Sequence, residues 1–354
     1  MNVPRRALLL PRLAAGCSRR EAPAGCAALA GRSVRWIVPY SPGGSYDVYS
    51  RFLKAPLERL LRVKIAVVNE TGASSLVGVS KLRDAAPDGL TLGIFNAPGL
   101  LAAAALGRPR FPDPVRDFSI LGRVSRSRKA LATRAGSPLR SLEDVFEAQR
   151  RKPLLCGTTG VSSDNFLNLA VAGSLLGLRL QFLFGHAGSR EEILAALRGD
   201  VEMIPLNYET IGAAVESGEL RVLLQCSDEP LSPHPALAGA ALLGGADGWA
   251  VRRAPATNRT PAQAAALADS LIRLIGSGII AAAPPRLPGD LLACLRSAFL
   301  QAASSDDFLD AARRSRRSVD AGDGESVRRE LEAAAAAADS FAPLLREAAG
   351  KAYL

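Results

Sequence analysis

The chain has 354 residues, 48% of them hydrophobic and 22% charged, which is enough to build two α/β domains with buried cores. Aromatic residues at 5% argue against a base-stacking platform, and much of the +10 formal charge sits on Arg side chains interleaved with acids, as in Arg328-Arg329-Glu330, so no nucleic-acid partner is expected while anionic ligands are favoured. Five cysteines, at 17, 26, 156, 226 and 294, lack CxxC or Cys/His spacing, and with only two histidines neither a metal site nor a cofactor is expected.

Residues 1–31 read as an export leader or a disordered segment. Arg5 and Arg6 form a basic start, and the apolar run from Ala7 to Leu10 is interrupted by Pro11 and Arg12. Leu13 to Cys17 approaches a lipoprotein box with its Leu one position too far, which leaves a lipid anchor at Cys17 open; Ala28-Leu29-Ala30 is an alternative cleavage site. No later run reaches the roughly 18 apolar residues of a membrane span.

From residue 34 strands and helices alternate. The pattern predicts a strand over 34–38, a helix over 47–61 with Val48, Phe52, Leu53, Leu57, Leu60 and Leu61 at helical spacing, a strand over 64–68, a helix over 76–85 and a strand over 90–95. This βαβαβ order implies a parallel sheet with helices on both faces. A loop is expected at Asn96-Ala97-Pro98-Gly99, then apolar runs at 118–121 and 129–133 that cross between domains. A helix over 141–151 is capped by Ser141. A second alternation follows: strand 154–157, helix 164–176, strand 178–184, helix 189–198, strand 201–205, helix 208–217 and strand 220–225. Residues 228–260 read as loop, 261–275 as helix, 278–283 as a returning strand, and 288–303, 305–314 and 325–348 as helices. Cys156 and Cys226 lie in apolar runs and read as core residues; they pair only if the fold brings them together.

In open α/β sheets ligands bind beyond the carboxyl ends of strands. Three loops there stand out. Ser41-Pro42-Gly43-Gly44-Ser45 opens a helix with Asp47 in its first turn, and its glycines let backbone N–H groups approach an anion. Asn69 to Ser75 is small and polar. Gly157-Thr158-Thr159-Gly160-Val161-Ser162-Ser163 combines hydroxyls with a helix start, a cradle for a carboxylate or phosphate. There is no G-x-S-x-G, P-loop or complete G-x-G-x-x-G sequence. Cys156 and His186 can be drawn as nucleophile and base, but a strand Cys reads as structural. His186 follows Gly185 after a strand and either faces the cleft or is a hydrogen-bonded loop residue.

These loops, in this order, resemble the substrate-binding receptors of tripartite tricarboxylate transporters, the Bug-type family. The resemblance rests on Val38 to Asp47 with Arg51, on Val67 to Ala73, on Ala86 to Leu92, on Pro112 to Ile120, on Gly157 to Ser163 and on Ser217 to Arg221. The Arg-Pro pair usual in the second of these is missing, and Asn207 stands where Asp is common. The resemblance implies an α/β fold of the type II periplasmic binding protein kind: two doubly wound α/β domains joined by crossover strands, with a cleft between them. Domain 1 would comprise 32–125 and 255–354, and domain 2 would comprise 126–254. By position, Tyr40, Gly43, Gly44 and Ser45 would face the ligand from domain 1, with Asp47 fixing the helix start or contacting an amino group. Thr158, Thr159, Gly160 and Ser163 would grip a carboxylate from domain 2, and Asn69, Ala97, His186 and Asn207 would line the sides.

The expectation is a monomeric, exported, non-catalytic receptor in the periplasm. It would capture a small organic acid (a dicarboxylate, an aromatic carboxylate or an amino acid) and deliver it to membrane transporter subunits or a sensor. Two alternatives stay open: an enzyme acting on a small carboxylate on the same scaffold, and a family member that no longer binds.

Overall fold

Alternating side chains of the first strand choose two different cores, and this sets the architecture. The computed structural model describes residues 25–107 and 110–350. In β1 (Ser33–Val38), Val34, Trp36 and Val38 face one core together with Leu53, Leu57 and Leu61 of α1 (Ser45–Leu61). Ile37 faces the other, with Val79 and Leu82 of α2 (Leu76–Arg83). Between these helices lies β2 (Lys64–Asn69), and β3 (Thr91–Asn96) follows; both pair with β1 in parallel. Right-handed crossovers thus place α1 and α2 on opposite faces of the sheet.

The segment expected to loop after β3 is instead α3 (Ala97–Ala105). Asn96 is its N-cap, accepting from the Gly99 N–H at 3.0 Å, and Pro98 sits in the first turn, where a missing N–H costs nothing. The chain then runs through β4 (Ser119–Ser125) in the first sheet and, three residues later, enters β5 (Lys129–Arg134) in a second sheet.

The second sheet is wound by α4 (Leu142–Arg151), β6 (Leu154–Gly157), α5 (Asp164–Leu176), β7 (Leu180–Leu183), α6 (Ser189–Arg198), β8 (Ile204–Asn207), α7 (Tyr208–Glu216) and β9 (Leu220–Gln225). The order is β10-β9-β5-β8, with β6-β7 attached through a parallel bridge between Cys156 and Met203; β10 is Ala241–Leu242. Residues 228–260, read from the sequence as loop, contain β10 and the short α8 (Trp249–Arg253). There Trp249 packs at a tilt against Phe146 of α4 with ring centroids 5.5 Å apart, which orders a segment whose Pro and Gly content suggests none.

α9 (Pro261–Gly276) leads back to β11 (Ile279–Ala283), antiparallel to both β3 and β4. The first sheet is therefore mixed, in the order β12-β4-β11-β3-β1-β2. The chain ends in α10 (Gly289–Ala303), α11 (Asp306–Arg314), β12 (Gly322–Asp323) and α12 (Gly324–Ala349). α12 lies against α3, α5 and α9. Leu100 and Leu101 of α3, Phe166 and Val171 of α5, Leu271 and Leu274 of α9, and Leu331 and Phe341 of α12 form one apolar core that both sheets share.

The basic start, Cys17 and the lipoprotein-like box lie outside the described residues. The alternative cleavage site does not: Leu29 is buried, and Cys26 forms a disulfide with Cys294 on α10. A cut after Ala30 would discard both, so the globular structure already includes the residues from Cys26 onward. Cys156 and Cys226 are unpaired and buried; burial raises both thiols, Cys226 to about 11 although the Asn168 amide beside it pulls the other way. The disulfide closes a loop across 268 positions, so its removal frees a large denatured-state entropy. The double variant Cys26→Ser/Cys294→Ser is expected to lose about 2–5 kcal/mol in urea melts, and reductant is expected to lower the melting temperature of wild type but not of the variant.

Candidate ligand-binding cleft

The loops at the strand ends of the two sheets face each other across a cleft. From the first sheet come the turn after β1 and the end of β3; from the second come the start of β5, the loops after β6 and β7, and the end of β8. They enclose an inner cavity of about 40 Å³ bounded by Tyr40, Gly44, Ser45, Tyr46, Asn96, Lys129, Thr159, Ser163, Asp164, Asn165, Gly188, Ser189, Leu206, Asn207 and Thr210. Tyr40 and Thr159 separate it from an outer vestibule of about 380 Å³, which lies between residues 71–75 and 184–187.

The turn after β1 is built by Asp47. Gly43 adopts φ +83° and donates its N–H to Asp47 Oδ2 at 2.9 Å. Arg51 Nε and Nη2 donate to the two carboxylate oxygens at 2.9 and 2.8 Å, and Asn69 Nδ2 donates to Oδ1 at 3.0 Å. Burial opposes the charge, but Arg51, the Gly43 amide and Asn69 together hold the Asp47 carboxyl below its ordinary range. Asp47 and Asn69 are thus committed to each other, and neither lines the cavity.

Hydrogen bonds between the two sides close the cleft. Ser45 Oγ lies 2.5 Å from Thr210 Oγ1, Ser41 Oγ donates to Glu191 Oε2 at 3.0 Å, and the Ser41 N–H donates to the Ala187 carbonyl at 3.2 Å. Ser74 Oγ donates to the Thr159 carbonyl at 3.2 Å, Ser162 donates to the Ser74 carbonyl, and Asn96 Nδ2 donates to Asp164 Oδ1 at 2.9 Å. Gly160 makes the approach of Ser74 feasible: a Cβ there would lie 1.5 Å from Ser74 Oγ.

Charged groups lie at the floor. Lys129 Nζ, on a side chain only 3% exposed, is 2.8 Å from Asp164 Oδ2 and donates to Asn165 Oδ1 at 2.6 Å. Asn165 Nδ2 in turn reaches both oxygens of the buried Glu192, at 3.0 and 2.7 Å. Burial raises the Glu192 carboxyl to about 8, against the pull of Asn165 and Lys129. Burial and the Asp164 carboxylate also raise both tyrosine hydroxyls, Tyr40 and Tyr46. Tyr46 Oη and Asn207 Oδ1 are buried without a hydrogen-bond partner.

The family model described as "Tripartite tricarboxylate transporter family receptor" matches residues 50–261. The chain belongs to this family. Its curated relatives include BugT of Bordetella pertussis, 26% identical over 216 residues that cover 60% of this chain and 66% of BugT. A UPF0065 protein of the same organism is 22% identical over 206 residues, covering 58% and 63%. The chain spans less than two thirds of the length of these relatives. Among solved structures, the periplasmic binding protein BugD matches with a TM-score of 0.69 at 18% identity, over 88% of this chain and 97% of BugD. A Rhodopseudomonas palustris protein with adipate matches at 0.68 and 21%, over 89% and 97%. MatC from the same species, with bound malate, matches at 0.65 and 18%, over 87% and 99%. These likenesses establish the two-domain, type II periplasmic-binding-protein fold.

Within this cleft, six of the residues singled out from sequence line the inner cavity: Tyr40, Gly44, Ser45, Thr159, Ser163 and Asn207. His186 lines the vestibule, its Nδ1 3.1 Å from the Thr158 carbonyl. Gly43, Asp47 and Asn69 support the turn from behind; Ala97 and Thr158 are fully buried, and Gly160 backs Ser74. Cys156 Sγ faces the Leu154 carbonyl and not His186, so the drawn nucleophile–base pair does not form. Tyr46, Asn96, Lys129, Asp164, Asn165 and Glu192 are additions. A Lys opening an apolar strand was the available signal for Lys129.

Glu192 gives the cleft a pH signature. The fold favours its protonated form, so its contribution to stability is full below the ordinary value of 4.5 and is lost as pH rises through about 8. Glu192→Gln removes this loss. Urea melts between pH 5 and 8 are expected to show the variant gaining on wild type by up to about 1.4 kcal/mol per pH unit; a pH-independent difference between the two contradicts the assignment.

Proposed function

We propose that this protein is an exported receptor that captures a small organic carboxylate between two hinged lobes and presents it to the membrane subunits of a tripartite tricarboxylate-type transporter. The lobes are residues 32–125 with 255–354, and residues 126–254; the chain passes between them at 125–126, in the three residues that separate β4 from β5, and at 254–255. One observation carries the reading: Tyr46 Oη and Asn207 Oδ1 are buried and unpartnered against one cavity between the two sides. Such groups cost free energy unless a ligand or ordered water completes them. Export is supported by the Cys26–Cys294 disulfide, which suits an oxidising compartment such as the periplasm. Malate and adipate in the structural neighbours support the carboxylate class. The receptor acts as a monomer, without cofactor, metal or nucleic acid.

Binding without catalysis fits the side chains present. Among the described residues no group of three or more His, Cys, Asp or Glu could hold a metal, and Cys156 and His186 are apart. One observation favours the reading of a receptor that no longer binds: the protein's own groups already bond across a cavity of about 40 Å³. A thermal-shift screen of mono- and dicarboxylates, aromatic acids and amino acids separates the two. Binding is expected to raise stability by about 2.7 kcal/mol at a hundred times Kd. Thr159→Ala, which trims a side chain that lines the cavity and leaves the backbone conformation free of new strain, is expected to weaken that binding about tenfold or more while leaving the fold intact. Absence of a shift from every acid in the screen rules out the receptor reading.

A further inference from the structure

The two charges that line the inner cavity, Lys129 and Asp164, offset each other. One cation close to the cavity is not offset. Arg317 belongs to residues 315–319, between α11 and β12, and this turn is tied to both sides of the cleft. The Ser318 carbonyl accepts from Tyr49 Oη of α1 at 2.5 Å and from Ser125 Oγ at the end of β4 at 2.9 Å. Ser318 Oγ donates to Glu209 Oε1 in the first turn of α7 at 2.9 Å, and Arg316 pairs with Glu216 at the other end of that helix.

The Arg317 guanidinium is thereby held against the start of α1. It is half-buried, its Cζ lies 5.7 Å from the centre of the Tyr49 ring, and its Nη1 donates to Ser45 Oγ at 3.1 Å. Among the described residues no carboxylate forms an ion pair with it. Glu209 is bonded to Arg128 and Ser318, and Asp47 turns to Gly43, Arg51 and Asn69. This placement is unfavourable on two counts. Burial opposes the charge, and the charge stands beside the positive end of a 17-residue helix whose N-cap, Gly44, offers no side-chain acceptor. An anion in the cavity that Gly44 and Ser45 border relieves both. Ser45 is the relay. Its hydroxyl has one proton, and the charge-assisted bond from Arg317 occupies a lone pair. The proton is left for Thr210 Oγ1, 2.5 Å away, or for a ligand oxygen, and it is a stronger donor for the bond behind it.

We propose that Arg317 is a positioning residue for the ligand: from behind the cavity wall it fixes Ser45 as a donor and supplies the positive charge that holds an anionic group at the start of α1. This rests on the receptor reading above. The role belongs to Arg317 and not to the turn as a tie between the two sides, because Arg316 and Ser318 make the ties to α7 while Arg317 alone of the three reaches a residue that lines the cavity.

Calorimetry on the purified full chain tests it, with malate, adipate and any other acid that stabilises the protein in the thermal-shift screen. Arg317→Gln is expected to bind the acid about tenfold less tightly, and Arg317→Lys, which keeps a charge there, to lose less than about threefold. The double variant Ser45→Ala/Arg317→Gln is expected to lose no more than the weaker of its two single variants, because both changes remove one route to the ligand. Arg316→Gln breaks the pair with Glu216 but leaves Arg317 in place, and is expected to stay within about threefold of wild type. Should Arg317→Gln not fold, Arg317→Met, which keeps the stem against Tyr49, carries the same expectations. A loss below about threefold in Arg317→Gln, losses that add fully with Ser45→Ala, or an equal loss in Arg316→Gln overturns the inference and leaves the carboxylate-receptor reading standing. No binding of any acid in the screen to wild type overturns both.

Discussion

Lys129 stands at the start of β5 with almost no exposure, and the organisation of the cleft follows from the cost of burying its charge. A buried ammonium needs a partner and satisfied donors; removing one member of such a pair typically costs about 3–5 kcal/mol. Asp164 supplies the counter-charge from the first turn of α5, and Asn165, the next residue, accepts a second bond. Each partner has another commitment. Asp164 binds Asn96, which caps α3 on the first sheet's side, while Asn165 holds Glu192 in the first turn of α6. One buried charge thereby fixes three helix starts in relation to each other, and two of them, α3 and α5, come from opposite sides of the cleft.

Closure is balanced against strain at the mouth. Ala73, Ser74 and Ser75 have φ of 46°, 54° and 76°, three consecutive non-glycine residues in the left-handed region. Each costs about 1–2 kcal/mol relative to an ordinary conformation. The contacts that hold this segment reach across the cleft, from Ser74 to Thr159 and from Ser162 to Ser74. The cross-cleft bonds are thus what holds this strained segment in its conformation. At the opposite end, Arg123 on β4 is buried and bonded to both Asp320 and Glu330, which ties the strand leading into the crossing to the chain's C-terminal part.

Periodicity made the alternation of strands and helices legible in the sequence, because each element buries a face whose spacing is local. The 164–176 and 189–198 helices and the 220–225 strand have the same limits in the structure. Two elements were hidden. α3 begins inside Asn-Ala-Pro-Gly, residues that mark a turn unless Asn96 caps and Pro98 falls in the first helical turn. α8 depends on Trp249 meeting Phe146, about a hundred positions away. The site was legible as loops but not as charges. Lys129 and Asp164 are 35 positions apart, Asn165 and Glu192 27 apart, and Cys26 and Cys294 268 apart. Read singly, each is an ordinary strand-edge lysine, helix-start acid or core thiol. Asp47 failed in the other direction: an acid at a helix start invites a ligand role, but its oxygens turn back to Gly43, Arg51 and Asn69.

The same reasoning separates what the family fold determines from what it leaves free. Structures only 18–21% identical share this arrangement of strand ends, so the backbone delivers loops to a common cleft with little dependence on side chains. The electrostatic sign of that cleft is a separate property. Here it depends on side chains from four elements, β5, α5, α6 and β8: Lys129, Asp164, Glu192 and Asn207. A Gly-Gly turn and a Thr-Thr-Gly loop offer donors, but donors recognise an incoming anion only while they are unoccupied. Glu192 takes the Asn165 amide and Asp164 takes the ammonium of Lys129. The second-sheet groups that the sequence presents as an anion cradle are therefore engaged by the protein's own side chains, while the starts of α1 and α6, which carry no side-chain cap, border the same cavity.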